Sequence, residues 1–415
     1  MTNRAAILAA LCAAFAAGCD SLPRNALLSC EQDVQVLPAR TDLLFVIDDS
    51  RSMREEQENL RQNLSAFVAE LAASPVPNDF RIGVTTTDVH NAFGMPSFFP
   101  TDVAPFTQFP YAVPFAQGTI VAIDPGALTD DALRGKPVYD QEHGYAGPTA
   151  RRFLAATARD LDAFETNVLV GTLGSSKEEP LRAAELALGA RVDDGTNAGF
   201  LRSGARLGIV MLTDEDDCSE RAAIGAPLAA ANNEQCHDAT IKTNGLLQPD
   251  DFVTFLQGPI AGEERRPIVA VIAGFDAQGE PTGCATSFDD PTRLDRLLDR
   301  LSERLGEDRA FRGSICDASF GPSLREIADR LVPQTVPIDG APPDARMLVV
   351  AVHRPDEGSG AETVRCRVAE AGAPDAGDAG AVYAPPRQGP ATLTFQGPCR
   401  LGSGDRVELR VACAR

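Results

Sequence analysis

The run LLFVI at residues 43–47 is apolar at every position and breaks directly into Asp48, with Ser50 and Ser52 following at alternate positions. A strand buried on both faces reads as a continuous apolar run, whereas a half-exposed one alternates, so this segment predicts an interior strand of a parallel sheet. In open α/β sheets ligands sit beyond the carboxyl ends of such strands. The D-x-S-x-S set therefore stands where a ligand would be held. One carboxylate and two hydroxyls are hard oxygen donors, suited to a small divalent cation that keeps part of its water.

The pattern continues along the chain. Leu60, Leu64, Phe67, Val68 and Leu71 recur at helical spacing within residues 53–72, and residues 80–87, FRIGVTTT, have the composition of a second strand. Residues 151–167 and 178–188 read as further helices. LGIVMLT at 207–213 is a third strand, opening into Asp214, Glu215, Asp216 and Asp217. A helix near 251–256 precedes a fourth strand at 267–274, and residues 293–305 and 323–331 are amphipathic helices. This alternation predicts a doubly wound α/β domain with a mostly parallel, Rossmann-like sheet over residues 40–335. Between residues 88 and 149 phenylalanines and prolines mix without a persistent period, which marks a long insertion expected to pack on the domain's own flank. Beyond residue 335 short alternating runs predict a small β-rich module over 336–415, with the Ala/Gly/Asp/Pro stretch 369–381 as a flexible loop inside it.

A chain of 415 residues with a net charge of -21 lacks the basic surface that nucleic acid requires. Residues 1–19 hold one basic residue, Arg4, an apolar stretch and small residues before Cys19, the layout of a secretory signal rather than a spanning helix. Its end, Ala16-Ala17-Gly18-Cys19, resembles the lipobox of bacterial lipoproteins. That resemblance implies removal of the signal, lipidation of Cys19 and anchoring to a bacterial membrane in the cell envelope, periplasmic or at the cell surface. Residues 20–40 would be the tether. Of ten cysteines, setting aside Cys12 and Cys19 leaves eight, and an even number in an exported chain favours disulfides. No C-x-x-C pair suggests zinc. Cys218 with Cys236 and Cys284 with Cys316 each close one local loop and are the expected pairs. Spacing leaves Cys30, Cys366, Cys399 and Cys413 open.

The apolar strand, Asp48-x-Ser50-x-Ser52 and the following Met53 resemble the von Willebrand factor type A fold and its metal-ion-dependent adhesion site. That family also uses a threonine about six residues before an apolar helix residue. Counting back from Leu181 lands on Ser175, with Thr172 and Ser176 as competitors; serine keeps the hydroxyl but lacks the methyl that restricts its rotamer. The family's later aspartate, commonly in T-D-G, matches Thr213-Asp214, with Glu215 in place of glycine. The resemblance implies Mg²⁺, or Mn²⁺ or Ca²⁺, held by Ser50, Ser52 and a third hydroxyl, with Asp48 and Asp214 acting partly through water. It also implies an open position for an aspartate or glutamate of a protein or peptide partner, and coupling of metal coordination to a shift of the last helix, at 323–331. Asp216 and Asp217 are expected in a solvated loop.

Two other classes compete with metal-dependent adhesion. A hydrolase needs a nucleophile beside a base, but His90, His143, His237 and His353 are scattered and no G-x-S-x-G occurs. Metal-dependent phosphotransferases place D-x-D after a first strand, and Ser50 stands where the second aspartate would be. A scaffold of the same fold that binds no metal is the other alternative. The expectation is a binding protein, not an enzyme.

Overall fold

The computed structural model describes residues 34–89, 161–170, 177–195, 197–223, 228–230, 233–284, 287, 289–340, 342–355, 362–386, 389–402 and 404–411. The chain enters through a two-residue strand, β1 (Gln35–Val36), followed by β2 (Ala39–Ile47), helix α1 (Arg54–Ala72) and β3 (Asn78–Thr86). Then come α2 (Leu161–Asn167), α3 (Pro180–Leu188), β4 (Arg206–Leu212), α4 (Pro249–Gln257), β5 (Ile268–Ala273), α5 (Thr292–Leu305), β6 (Ala310–Ser314) and α6 (Gly321–Leu331). Strands β2 to β6 form one sheet in the order β3-β2-β4-β5-β6, every pair parallel.

The apolar run that predicted an interior strand is buried on both sides. Leu43, Phe45 and Ile47 of β2 face a core built with Leu60, Leu64 and Phe67 of α1 and with Leu324, Ile327 and Leu331 of α6. Leu44 and Val46 face the opposite core, with Leu181 of α3, Phe252 of α4 and Leu297 and Leu301 of α5. This is the period of two of a pleated strand sandwiched between helical layers. Phe45 fills its side by edge contacts with Phe67 and Phe164, at centroid distances of 6.1 and 5.3 Å. Helix α1 turns its apolar stripe inward, and Glu55 and Glu56 in its first turn complement the positive end of the helix dipole. Strand β6 was not anticipated: AFRGS carries a charge and a glycine because it lies at the sheet edge, where burial demands less of it.

The remaining strands are β7 (Thr335–Asp339), β8 (Leu348–Arg354), β9 (Glu362–Cys366), β10 (Val368–Glu370), β11 (Ala381–Ala384), β12 (Ala391–Phe395) and β13 (Arg406–Val411). They form sheets β1-β7-β12-β11-β10 and β13-β8-β9, which share a core including Ile338, Val350, Val352, Tyr383, Leu393 and Phe395. Cys366 and Cys399 are joined across this region.

Two expectations are corrected here. Residues 35–36 of the expected tether pair with β7, and β2 begins at Ala39, so the last part of that segment is built into both the β-rich region and the parallel sheet. The stretch 369–381 is not a flexible loop. It joins β10 and β11, which are parallel neighbours, through turns held by Ala371 N–H on Tyr383 O (2.7 Å), Gly380 N–H on Arg367 O (2.9 Å) and the Arg367–Asp375 ion pair. Its small residues suit tight turns as well as they suit flexible chain, so composition alone misleads. Residues 90–149 of the expected insertion, like Cys12, Cys19, Cys30 and Cys413, lie outside the described residues.

Candidate functional site

Because the five strands are parallel, the residues that follow them gather at one rim of the sheet. Asp48 leaves β2 with its N–H donating to Leu212 O of β4 at 2.9 Å, which locks the two strand ends together. The Asp48 carboxylate accepts Ser50 N–H on Oδ1 at 2.7 Å and the Thr213 hydroxyl on Oδ2 at 2.8 Å. Gln57, one turn into α1, donates to Asp48 O at 2.9 Å. The Ser50 and Ser52 hydroxyls lie 3.0 Å apart, and the Ser52 hydroxyl also faces Asp214. Thus Asp48, Ser50, Ser52 and Asp214, chosen from the sequence, come together. Ser175, with its competitors Thr172 and Ser176, lies outside the described residues.

Five further carboxylates surround this set. Asp49, Glu56, Asp88 and Glu178 are buried, and Glu215 is partly so. Burial raises the pKa of Asp48 against the hydrogen bonds it accepts, and burial with neighbouring negative charges raises those of Asp49 and Glu178 well above their ordinary values. Asp214, pushed up to about 8 by burial and by Asp48, has neither oxygen at full hydrogen-bonding distance from a partner, and the nearby Ser52 hydroxyl offsets only part of the cost. Glu215 is pushed up to about 9 by burial, then by Asp48, Asp214 and Asp289. Among the described residues no lysine or arginine forms an ion pair with Asp48, Glu56, Asp214 or Glu215. The sequence does carry a signal for Glu56: it stands four residues before Leu60, on the apolar stripe of α1, where a carboxylate is out of place. Nothing local marks Glu178.

Asp216 and Asp217 are not solvated. Asp216 is 3% exposed and caps α5, accepting Arg293 N–H at 2.9 Å and the Thr292 hydroxyl at 2.9 Å. Asp217 is 1% exposed and pairs with Arg293 at 2.8 Å. Both carboxylates therefore fasten the loop after β4 to the next helix, a demand set by packing between elements some 75 residues apart that local polarity does not reveal. Cys218–Cys236 and Cys284–Cys316 are the expected disulfides. The former holds the same loop, whose Cys218 N–H donates to Glu178 O at 2.7 Å. Lys177 and Glu220, both fully buried, bridge the two segments at 2.5 Å. Thr87 donates its hydroxyl to Glu178, and Glu179 N–H reaches Thr87 O at 3.2 Å, so the segment after residue 176 is tied to the end of β3 as well.

The site is rich in hard oxygen donors. Among the described residues no three His, Cys, Asp or Glu side chains converge as a ready-made metal-binding group, and the donors that meet are mixed hydroxyls and carboxylates. His237 pairs with Asp289 at 3.0 Å and His353 with Glu408 at 2.7 Å. His90 and His143 lie outside the described residues.

No protein-family model matches the chain, and no curated protein matches it. Among solved structures, the pilus adhesin SpaC from Lactobacillus rhamnosus GG in its open conformation aligns with 92% of this chain at 9% identity and a TM-score of 0.36. A second crystal form of SpaC gives 0.37. Proximal thread matrix protein 1 from the mussel byssus aligns with 73% of the chain at 11% identity and a TM-score of 0.28. The aligned chain spans 39% of the first of these structures and 51% of the last. At such scores the similarity carries no conclusion about fold or function.

Proposed function

We propose that this chain is an exported, lipid-anchored protein of the von Willebrand factor type A kind that binds a protein or peptide partner through a divalent cation at Asp48, Ser50, Ser52 and Asp214. The observation that carries this reading is that the buried carboxylates of Asp48 and Asp214 meet two serine hydroxyls and, among the described residues, pair with no lysine or arginine. Buried charge is costly unless it is paired or coordinates a metal. The donor chemistry fits the ion: oxygen ligands only, few enough direct carboxylates for Mg²⁺ to keep water, and Mn²⁺ or Ca²⁺ as substitutes. A bound cation would supply a Lewis-acidic position for a carboxylate oxygen of the partner.

The chain's own residues do the rest. Thr213 and the Ser50 N–H aim the Asp48 carboxylate, Ser50 and Ser52 present their hydroxyls side by side, and Asp214, beside the Ser52 hydroxyl, has no full hydrogen bond on either oxygen among the described residues. None of these is arranged as a nucleophile with an adjacent base, so the reading is binding rather than bond cleavage. A net charge of -21 argues against nucleic acid as the partner.

Titrating Mg²⁺ and Mn²⁺ into the chain lacking residues 1–19, followed by calorimetry and thermal melting, tests the reading. Saturation at a hundredfold excess over Kd stabilises a folded protein by about 2.7 kcal/mol. Asp48→Asn, which keeps the shape of the side chain, is expected to abolish the effect while leaving the circular dichroism spectrum intact. Silence of the unaltered chain with both ions would point instead to a metal-free scaffold.

A further inference from the structure

At the same rim of the sheet, beside the loop that follows β4, the chain carries a recess of the opposite charge. Helices α4 and α5 both begin at the carboxyl ends of the parallel strands. Between their first turns and the short helix Ala239–Asn244 lies a cavity of about 340 Å³, within the size range of small-molecule sites. Lys242, Thr243, Gln248, Thr292, Arg293 and Arg296 line it. Three cations around one cavity stand out in a chain with a net charge of -21. Arg293 is 6% exposed, and its Nε and Nη2 are fixed on Asp217 at 3.1 and 2.8 Å, with Nη2 also on Leu247 O. Its Nη1 makes no bond among the described residues. Arg296 pairs with Asp250 at 3.0 Å, but Arg300 and Arg304 draw on the same carboxylate at 3.4 and 2.8 Å, so one negative charge serves three arginines. Among the described residues Lys242 pairs with no carboxylate. Gln248 holds it in place, donating through Nε2 to Lys242 O at 2.7 Å and to Leu246 O at 2.9 Å. The N–H groups that open α5 are taken by Asp216, so the cavity offers its cations rather than a helix end.

We propose that this recess binds the phosphate group of a small, soluble phosphate monoester. Arg293, buried and fixed by Asp217, presents a rigid nitrogen, Arg296 stands three residues further along the same face of α5, and Lys242 joins them from the short helix. A carboxylate brings one charge and two oxygens, whereas a phosphate monoester brings nearly two charges and three acceptor oxygens, enough to engage all three side chains. Guanidinium groups suit such an anion through their planar fork, and an ammonium adds a point charge. The volume leaves room for the remainder of a small molecule beside the phosphate. None of these residues belongs to the Asp48 set, so the inference stands apart from the metal-binding reading.

Calorimetry on the full chain tests this, with inorganic phosphate and glucose 6-phosphate as probes at constant ionic strength in chloride. EDTA is present throughout, so that no cation at Asp48 recruits the anion. Both probes are expected to bind at one site per chain. Lys242→Gln and Arg296→Gln should each weaken them by about tenfold or more, the loss of one charge-assisted hydrogen bond, and should melt like the unaltered chain. Arg325→Gln, which removes a 65% exposed arginine from α6, should change nothing. Acetate should bind at least about tenfold more weakly than phosphate. Absence of binding by both phosphates, affinities that Lys242→Gln and Arg296→Gln leave unchanged, an equal loss with Arg325→Gln, or acetate binding as tightly as phosphate would each overturn the assignment. Sedimentation with phosphatidic acid vesicles that Lys242→Gln abolishes, without binding of glucose 6-phosphate, would overturn it in favour of a membrane surface.

Discussion

At Asp214 and Glu215 the protein holds carboxyl groups whose ionised form is disfavoured by burial first and by neighbouring negative charge second, with pKa values of about 8 and about 9. In the unfolded chain such groups titrate near 4. Between those limits the folded state carries more protons on them than the unfolded state, so their contribution to stability is fully present below about pH 4 and is lost as pH rises through 8 to 9. Asp48, Asp49 and Glu178, raised in the same direction, add to the trend. In EDTA the melting temperature is expected to fall between pH 5 and pH 9. Mg²⁺ must displace the same protons, so its stabilising effect should be larger at pH 9 than at pH 5. Melting curves at both values, with and without the ion, check this; an ion effect that shrinks with rising pH would show that these groups do not hold it.

At the scale of the element, β4 shows how closely the layers approach. Gly208 lies in the middle of that strand, and a Cβ built there would come within 2.8 Å of Leu43 Cδ1 on β2 and 2.9 Å of Leu331 Cδ2 on α6. A glycine inside an apolar strand often marks such close approach, and LGIVML carries that mark in the sequence. Gly208→Ala forces both leucines aside and is expected to cost about 1–3 kcal/mol by overpacking, read from the urea midpoint at unchanged slope. Helices α1, α5 and α6 were equally legible, since their leucines repeat at helical spacing and are the residues that face the cores. Strands β1 and β6 were not, because two residues and an edge position leave no period to read.

Across the whole molecule, the β-rich region is assembled from both sides of the parallel sheet in sequence. Gln35 pairs with Asp339 and Val36 with Ile338, and Val34, Val76 and Val332 enter the same core as Val350 and Leu393. Gly404 N–H donates to Ala73 O at 3.0 Å, so the end of α1 is held from this region too. A chain begun at residue 41 would lose Val34, Val36 and the β1–β7 pairing. Relative to one begun at residue 20, it is expected to be less stable by about 2–4 kcal/mol, on the burial of Val34 and the partial burial of Val36. Equilibrium denaturation of the two chains compares them directly, and equal midpoints would mean that β1 is dispensable.

What the sequence determined by itself was the local part: apolar runs at 43–47, 207–213 and 267–274 as strands buried on two faces, amphipathic helices between them, and Asp48, Ser50, Ser52 and Asp214 at strand ends. Periodicity encodes burial within one element, and a polar residue directly after a buried strand must lie at the sheet's rim. The tertiary structure decided which rim residues meet. Strand order brings Asp88, Asp48 and Asp214 side by side at the ends of β3, β2 and β4, and the contacts of Thr87 and Cys218 with Glu178 bury that residue beside them. It also makes Asp216 and Asp217 fasteners for α5 instead of surface charge. An aspartate reads the same in a sequence whether water, an arginine or a second carboxylate stands beside it, and only the packing of distant segments supplies that neighbour.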